Sequence, residues 1–591
     1  MKMQAETFYK QQLQIAESLI QVSFKKVRLF TFLRLFVFAI FGSALYLFWG
    51  NTFIFSLVLI IGITAFLVMV SLSVDAKLAL EKAKELKRIN ENEILALHGD
   101  WSSFDAGKEF QSGIHPFSND LDLFAPKGVF GFLNRTVSTQ GKNALASLLL
   151  DGIQNPKYNN QIIEALSQEI SWTQKFRISG SINSREKGVN QSFKNWFDQK
   201  INNPKWMKWM IFVIPSFSIP ALILYNFDLI SSMVFGISIS VSMSITGRLV
   251  KSTNVIAESV SKYAAKAAVM LDQIQALNEL KIENESLQAI KNEFDKGELN
   301  AVLGLRKFLN INKQLDLRMN ILISIPLNIF FAWDLIQRNS LEKWKAKYQN
   351  AFLEWEEILV KLEVYISGAT VKFNAPNATF ADFSNDMSIQ ISGLIHPLLN
   401  SAKAISNEVE MNENNQFIIL TGPNMAGKST FLRSLGLTFV FANAGFPVFA
   451  DIAKIPKVKL YSSMRTSDDL SNESSYFHAE LMRLKFIMDA LNQNQAVFIL
   501  LDEILKGTNS KDKEEGSKKF LKKLQSKGAK GIIATHDLSL CELSIESKAF
   551  TNACFDSTIE GENLFFDYRM KSGICQNMNA SFLLKRMQLV D

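Results

Sequence analysis

A glycine-rich motif directly after an apolar run constrains this chain more than any other feature. The run Phe417–Leu420 leads into Thr421–Thr430, which reads T-G-P-N-M-A-G-K-S-T and fits the pattern G-x-x-x-x-G-K-[ST]. Such a motif joins a strand to a helix through a loop whose backbone N–H groups point at phosphate oxygens. The sequence therefore predicts a strand, a phosphate-binding loop and a helix in that order, and a bound nucleoside triphosphate.

Individual residues of the predicted loop have separate tasks. Lys428 is placed to reach the β- and γ-phosphates of ATP, and the Ser429 hydroxyl is placed to bind Mg²⁺. We expect nucleotide contacts from the whole loop, namely Gly422, Pro423, Asn424, Met425, Ala426, Gly427, Lys428, Ser429 and Thr430.

Two later apolar runs end in polar residues that suit nucleotide hydrolysis. Ala496–Leu501 is typical of a strand buried on both faces of a parallel sheet, and Asp502 and Glu503 follow it. We predict that Asp502 holds Mg²⁺ and that Glu503 orients or deprotonates the attacking water. The run Gly531–Thr535 ends in His536, which can sense the γ-phosphate, although a lone histidine is more often structural.

Together these residues resemble the MutS family of DNA mismatch-repair ATPases. The loop is almost the family's own, with Ala426 where glycine is usual, and Asp502–Ser510, D-E-I-L-K-G-T-N-S, is similar to the family's D-E-I-G-R-G-T. Further similar segments are Ile395–Pro397, Ser467–Leu470, Ser475–Glu480, Ala534–His536 and, upstream, Asp122–Phe124, Leu133–Thr136 and Gly141. The resemblance spans roughly residues 119–585, and it is specific in the ATPase region and loose in the helical core.

The resemblance implies an ATPase that binds ATP and Mg²⁺ at two composite sites in a homodimer and acts on DNA. Ser475 matches the serine that reaches the γ-phosphate bound by the other subunit, although a serine there also suits a helix N-cap. Asn424 matches the asparagine near the γ-phosphate, and Thr508 and Asn509 fall in the loop that faces the partner. Glu473 stands where that segment usually has glycine, a departure that bears on activation by the partner.

We expect no counterpart of the family's mismatch-recognition domain, and no extended C-terminal dimerisation module. The Phe-x-Glu wedge of that domain is matched by Phe352–Glu354, but this match lies inside Leu341–Tyr365, where aromatic residues recur at helical spacing. We therefore predict a core-facing helix there. Without a wedge that inserts between bases, we expect DNA contacts mainly to phosphates. Candidates for such contacts, which otherwise form a solvated helix face, are Arg306, Lys307, Lys313 and Arg318.

Apolar stretches predict two membrane hairpins. The first pairs Thr31–Trp49 with Phe53–Leu72, and the weaker second pairs Trp209–Leu224 with Leu229–Ile245; about 20 residues of helix span a bilayer core. Lysines and arginines flank both hairpins and are missing from their short connectors, which places the connectors outside and the rest in the cytoplasm. Buried core helices are the alternative, and we predict such a core helix for Ile321–Leu335, which contains a proline.

The expected fold is multidomain, with an α-helical core and lever domain that carries transmembrane helices, followed by a C-terminal α/β P-loop (ABC-type) ATPase domain. Predicted boundaries are 1–30 for an N-terminal cytoplasmic helix, 31–73 for the first hairpin, 74–204 for the first part of the core, 205–250 for the second hairpin, 251–390 for the core and lever, and 391–591 for the ATPase. Within these, we predict a lever helix at Ala257–Phe294 and an edge hairpin at Phe550–Met570.

Three functions are compatible with this organisation. A multi-pass protein of the cell membrane with a cytoplasmic ATPase coupled to DNA agrees best with the resemblance. A membrane-tethered, ATP-gated scaffold without a nucleic-acid role is the alternative, and a transporter-type ATPase is disfavoured because the chain has no L-S-G-G-Q segment. The net charge of +7 over 591 residues neither demands nor excludes nucleic acid.

Overall fold

Helices precede strands along the chain in the computed structural model of this protein. The structure describes residues 2–112, 115–184, 193–198, 203–281, 283–399, 404–464, 476–505, 509–560 and 563–575. Within these residues, thirteen α-helices come before the first strand, and an α/β region follows them. The expected order of a helical part and a C-terminal α/β part is confirmed.

The chain begins with two long antiparallel helices. α1 (Lys2–Leu47) and α2 (Thr52–Leu97) have 46 residues each, or about 69 Å of helix. Asn51 starts α2, because its side chain accepts a hydrogen bond from the Ile54 amide at 3.2 Å. Each helix is more than twice as long as a bilayer core requires. In each helix the apolar half, next to the turn at Asn51, continues without a break into a polar half. The two polar halves are joined by an ion pair between Glu17 of α1 and Lys87 of α2 at 3.0 Å.

Five shorter helices start the helical core, and a buried ion cluster ties α2 to them. They are α3 (Val129–Leu133), α4 (Thr139–Asp151), α5 (Pro156–Ser167), α6 (Ile170–Ser184) and α7 (Phe193–Asp198). Glu93 of α2 is fully buried and pairs with Arg135 at 2.7 Å and with Arg177 at 2.8 Å. The two guanidinium groups keep the pKa of Glu93 below its usual value against the opposing effect of burial, so this carboxylate stays charged inside the core.

A second hairpin also runs straight into the core. α8 (Met207–Asn226) packs against the first part of α9 (Ser232–Glu279), and the rest of α9 is buried at Ala267, Ile274 and Leu277. The predicted lever Ala257–Phe294 is not one helix, because Leu280 is extended and α10 (Glu285–Asn292) starts separately. The lever is therefore the continuation of a helix that starts in the hairpin.

Three helices complete the helical part: α11 (Ala301–Asp316), α12 (Ile321–Phe331) and α13 (Trp333–Asn374). The aromatic stripe on α13 is buried, as predicted, at Trp344, Tyr348, Phe352 and Trp355. This confirms that the Phe-x-Glu match belongs to a core helix.

The prediction of a buried core helix at Ile321–Leu335 is wrong for its first part. Ile321 and Leu322 of α12 are 70% and 84% exposed. α12 carries no charged residue and bends by 81° away from α13. It contacts α8 and α9, but these neighbours leave Ile321 and Leu322 exposed. Within the described residues, α1, α2, α8 and α9 are long and apolar enough to cross a bilayer, and the bent pair α12–α13 gives a fifth at most.

Two sheets form the C-terminal part. The small sheet has the order β1-β5-β2-β3, with β1 (Asp382–Ser384), β2 (Ile389–Leu394), β3 (Asn407–Met411) and β5 (Ile452–Pro456). The large sheet has the order β10-β9-β4-β8-β7-β6, with β4 (Phe417–Thr421), β6 (Lys459–Ser463), β7 (Val497–Asp502), β8 (Lys530–Ala534), β9 (Phe550–Glu560) and β10 (Asn563–Ser572). The predicted strands and the edge hairpin are confirmed, and the small sheet begins before the boundary expected at residue 391.

Helices cover the large sheet and attach it to the helical core. They are α14 (Lys428–Ala444), α15 (Tyr476–Asn492), α16 (Ser510–Ser526) and α17 (Leu543–Glu546). The end of α14 is fixed to the core where the Ile153 amide donates to the Asn443 carbonyl and the Asn159 side chain to the Ala444 carbonyl, both at 2.9 Å. One apolar cluster runs from the helical core through α14 into the sheet. The helix that starts at the phosphate-binding loop therefore ends on the helical core.

Candidate nucleotide-binding site

The predicted loop lies between β4 and α14, and its backbone requires glycine. Gly422 and Gly427 have φ angles of +146° and +105°, which side chains rarely allow. A Cβ atom on Gly422 would lie 2.4 Å from the Phe555 carbonyl oxygen. Ala426, the departure from the usual loop, is buried and is not among the residues with positive φ, so its methyl group fits this conformation.

Lys428 lies inside the loop that it is predicted to serve. Its ammonium group donates to the carbonyls of Gly422 and Pro423 at 2.7 and 2.9 Å and lies 3.3 Å from His536 Nε2. Burial lowers the pKa of Lys428, and the nearby carboxylates of Asp502 and Glu503 oppose this effect. The side chain therefore provides a partly desolvated positive charge at the start of α14, where the helix dipole also favours an anion.

The two predicted Mg²⁺ ligands are in contact. Ser429 Oγ donates to Asp502 Oδ2 at 2.6 Å, because β4 and β7 flank β8 in the sheet and end at the same edge. One hydroxyl and one carboxylate suit Mg²⁺, which takes hard oxygen ligands and keeps waters and substrate phosphates for the remaining positions. The described residues contain no cluster of three or more His, Cys, Asp or Glu side chains that could hold a metal.

The predicted base and the predicted sensor are also in contact. Glu503 Oε1 lies 3.0 Å from His536 Nε2, and both side chains are partly exposed to the cavity. Glu503 has a positive φ of 55°, and its amide donates to the Ala534 carbonyl at 2.9 Å. A non-glycine residue in this region is strained and is found most often at functional sites. The Glu503 carboxylate faces His536, which follows β8.

Part of the predicted partner-facing surface lies outside the described residues. This applies to Ser475, Ser467–Leu470, Glu473 and Thr508, so their roles stay predictions. Asn509 is described and caps α16, since its side chain accepts from the Asp512 amide at 2.9 Å. The buried Glu480 of α15 accepts from the Leu505 amide and so connects α15 to the loop after Glu503.

A cavity of about 510 Å³ surrounds these groups, and sequence reasoning missed several residues that line it. Tyr568 lies at an irregularity in the pairing of β10 with β9 and has a φ of +52°. Asn407 holds this irregularity, because it donates to the Tyr568 carbonyl at 3.0 Å and accepts from the Met570 amide at 2.7 Å. The hairpin was predicted, but no local pattern indicates that its tyrosine faces a loop about 140 residues away.

His396, from the Ile-His-Pro segment, borders the same cavity. Burial and the neighbouring Arg433 lower its pKa to about 4, so it is neutral near pH 7. Its Nδ1 accepts from the Leu398 amide at 3.2 Å. His396 therefore shapes the cavity wall and adds no charge to it.

A predominantly parallel sheet with a glycine-rich loop, a Ser–Asp pair and a Glu–His pair at one edge defines a P-loop nucleoside triphosphate-binding domain. Comparison with known sequences narrows this class. The family model of MutS domain V matches residues 418–587. The part of the chain that contains the phosphate-binding loop is therefore similar to MutS domain V.

Proteins named DNA mismatch repair protein MutS are similar to part of this chain. One from a Thermotoga species is 30% identical over 233 residues, which are 39% of this chain and 29% of the relative. Another from Fusobacterium nucleatum is 35% identical over 184 residues, 30% of this chain and 20% of the relative. MutS protein homolog 4 of Homo sapiens is 30% identical over 194 residues, 31% of this chain and 20% of the relative. The chain thus spans less than a third of the length of these relatives.

Proposed function

We propose that this protein is a membrane-anchored MutS-like ATPase that binds and hydrolyses ATP with Mg²⁺. The observation that carries the proposal is the contact of Ser429 with Asp502 and of Glu503 with His536 around one phosphate-binding loop. These four residues come from three separate parts of the sequence. Their assembly at one sheet edge is the arrangement that in-line attack of water on a γ-phosphate needs.

The chain's own groups divide the work of hydrolysis. When bound, Mg²⁺ held by Ser429 and Asp502 neutralises charge on the phosphates. Lys428 and the loop amides hold the phosphate oxygens, and Glu503 orients a water and takes its proton. His536, 3.0 Å from that carboxylate, fixes its orientation and reports the γ-phosphate. Tyr568 provides an aromatic face across the cavity on which a base can stack.

We propose further that the ATPase works as a homodimer and is coupled to DNA. The similarity of residues 418–587 to MutS domain V supports this, and Ser475 is the residue we expect to reach the partner's nucleotide. Arg306, Lys307 and Lys313 on α11 are exposed and can contact phosphates. Arg318 is withdrawn from this group, because its guanidinium is buried in an ion pair with Asp334 at 2.9 Å. An ATP-gated scaffold without a nucleic-acid role is the second candidate.

Membrane anchoring is the third part of the proposal. The apolar halves of α1 and α2 are exposed over their length, for example at Phe38 (69%) and Phe53 (77%). A large apolar surface of this kind is unfavourable in contact with water, whereas it is compatible with acyl chains. With the flanking cations on the inside, both hairpin connectors lie outside and the ATPase lies in the cytoplasm.

ATP turnover of the detergent-solubilised full chain tests the coupling to DNA. We expect plain, mismatched or branched duplex to stimulate turnover at low salt and to lose this effect at moderate salt, because phosphate contacts are screened. Replacing Arg306 and Lys307 by Gln should weaken the stimulation and leave basal turnover unchanged. Turnover that is indifferent to every DNA at both salt concentrations would favour the scaffold.

A further inference from the structure

α12 presents an apolar surface that no other described segment covers. The exposed side chains on it and on the turn before it are Met319, Ile321, Leu322, Ile323, Ile325 and Phe331, of which Leu322 is 84% exposed. No charged residue occurs from Met319 to Trp333. A contiguous surface of this kind indicates a membrane or protein contact.

Two polar side chains at α12, those of Asn320 and Asn328, form hydrogen bonds with the helix itself and with its ends. Asn320 caps the helix by accepting from the Leu322 amide at 3.0 Å. The Asn328 side chain donates to the Ser324 carbonyl and accepts from the Asp334 amide, each at 3.0 Å. Hydrocarbon requires such internal pairing, since an unsatisfied polar group costs several kcal/mol there. α12 is therefore chemically suited to acyl chains.

The position of α12 indicates which part of the bilayer it meets. Its last turn touches the apolar part of the second hairpin, where Ser218 Oγ lies 3.5 Å from the Phe330 carbonyl oxygen. Ala332 and Leu335, just after it, belong to one apolar cluster with Met207 and Ile214 of α8. The contact at Ser218 thus lies within the apolar part of α8, away from Lys208 at the charged end of the hairpin.

α12 crosses the direction of the hairpin and is too short to span. α13 runs beside α9, with Arg338 donating to Ser252 at 2.7 Å, and α12 bends by 81° from α13. Its 11 residues make about 16 Å of helix, roughly half of a bilayer core. The ion pair of Arg318 with Asp334 joins the chain on either side of α12.

We propose that α12 lies within the cytoplasmic leaflet of the membrane, beside the second hairpin and roughly parallel to the bilayer plane. The proposal rests on the membrane anchoring proposed above and adds an element that does not span. Acyl chains are the occupant because the exposed surface continues that of the hairpin and carries no charge. α13 then connects this membrane-embedded helix to the ATPase over 42 residues, or about 63 Å.

Lipid quenching of a fluorophore on the full chain in lipid nanodiscs tests this placement. Leu322→Cys carries the probe on α12, Ile237→Cys reports the exposed side of the second hairpin, and Leu303→Cys is the matched control on α11, where Leu303 is also exposed. The native cysteines Cys541, Cys554 and Cys575 are buried, and the labelled parent chain gives their background. Nitroxide lipids serve as quenchers, with the nitroxide near the headgroup or near the end of the acyl chain.

We expect the probes at Leu322 and Ile237 to be quenched and the probe at Leu303 to be unaffected. Because Ser218, which α12 touches, lies about 15 Å along α8 from Lys208, quenching at Leu322 should be stronger from the nitroxide at the chain end than from the one near the headgroup. If Ile237 is quenched and Leu322 is not, the placement of α12 is overturned and the anchoring stays intact. The same holds if a second copy of the chain shields Leu322 from lipid. Loss of quenching at both positions overturns the anchoring itself. Ile323→Cys repeats the measurement if the Leu322 variant does not fold.

Discussion

Replacing Glu503 by Gln separates ATP binding from hydrolysis in this protein. Glutamine keeps the size and shape of the side chain and can still accept a hydrogen bond from His536, whose Nε2 lies 3.0 Å from Glu503 Oε1. It cannot take a proton from water. The loop, Lys428 and the Ser429–Asp502 pair are untouched, so the groups that hold the phosphates and Mg²⁺ stay in place.

The size of the effect follows from the role of a general base. Such a group contributes about 10²- to 10⁴-fold to a rate, which corresponds to about 2.7 to 5.4 kcal/mol of transition-state stabilisation. We therefore expect single-turnover ATP hydrolysis to slow by this factor, while the Kd of a fluorescent ATP analogue changes by less than about 3-fold, or about 0.7 kcal/mol. Both are measured on the full chain in detergent with Mg²⁺.

Glu515→Gln is the matched control for this substitution. Glu515 is an exposed carboxylate on α16 that pairs with Lys519 at 2.6 Å, and its loss should leave binding and hydrolysis unchanged. Hydrolysis by the Glu503 variant at the parental rate refutes the assigned base. An equal loss of nucleotide binding shows instead that Glu503 holds the loop together.

Three further predictions concern groups that the tertiary structure brings into play. Tyr568→Ala should weaken binding of the fluorescent ATP analogue by about 1 to 3 kcal/mol if a base stacks on this ring, whereas Tyr568→Phe should bind normally. Glu93→Gln should lower the free energy of unfolding by about 3 to 5 kcal/mol, because it leaves two buried guanidinium groups without their carboxylate; thermal unfolding in detergent measures this. His396→Asn should reduce the loss of stability on acidification. Unfolded histidine takes up a proton near pH 6.5 and folded His396 only near pH 4, so the parent loses about 1 to 3 kcal/mol as pH falls through this window.

Each of these has an outcome that contradicts it. Equal affinity of the Tyr568→Ala and Tyr568→Phe variants would remove the aromatic ring from the nucleotide site. Unchanged thermal stability of the Glu93 variant would mean that water reaches this cluster. A His396→Asn variant whose stability falls with pH as steeply as that of the parent would assign the acid sensitivity to other groups, among them His115, whose pKa burial also lowers to about 4.

Local sequence determined the core of the ATPase. The run Phe417–Leu420, the glycine-rich loop and the helix after it are contiguous, so their conformations follow from backbone preferences and the apolar pattern. Apolar runs ending in Asp502 and His536 predict parallel strands, and parallel strands of one sheet place their ends at one edge. The meeting of Ser429 with Asp502 and of Glu503 with His536 could therefore be anticipated from the sequence.

Tertiary structure decided what distant or ambiguous segments do. Tyr568 reaches the nucleotide cavity at the irregular pairing of β10 with β9, which Asn407 of β3 holds in place, and no local pattern in the sequence indicates this contact. Arg318 looks like a solvated cation in the sequence, yet it is buried against Asp334, 16 residues along the chain. The apolar run of α12 has the same pattern whether protein or lipid covers it, because the hydrophobic effect depends on the apolar area removed from water and not on what covers that area. Only the 81° bend between α12 and α13 left this helix exposed beside the hairpin.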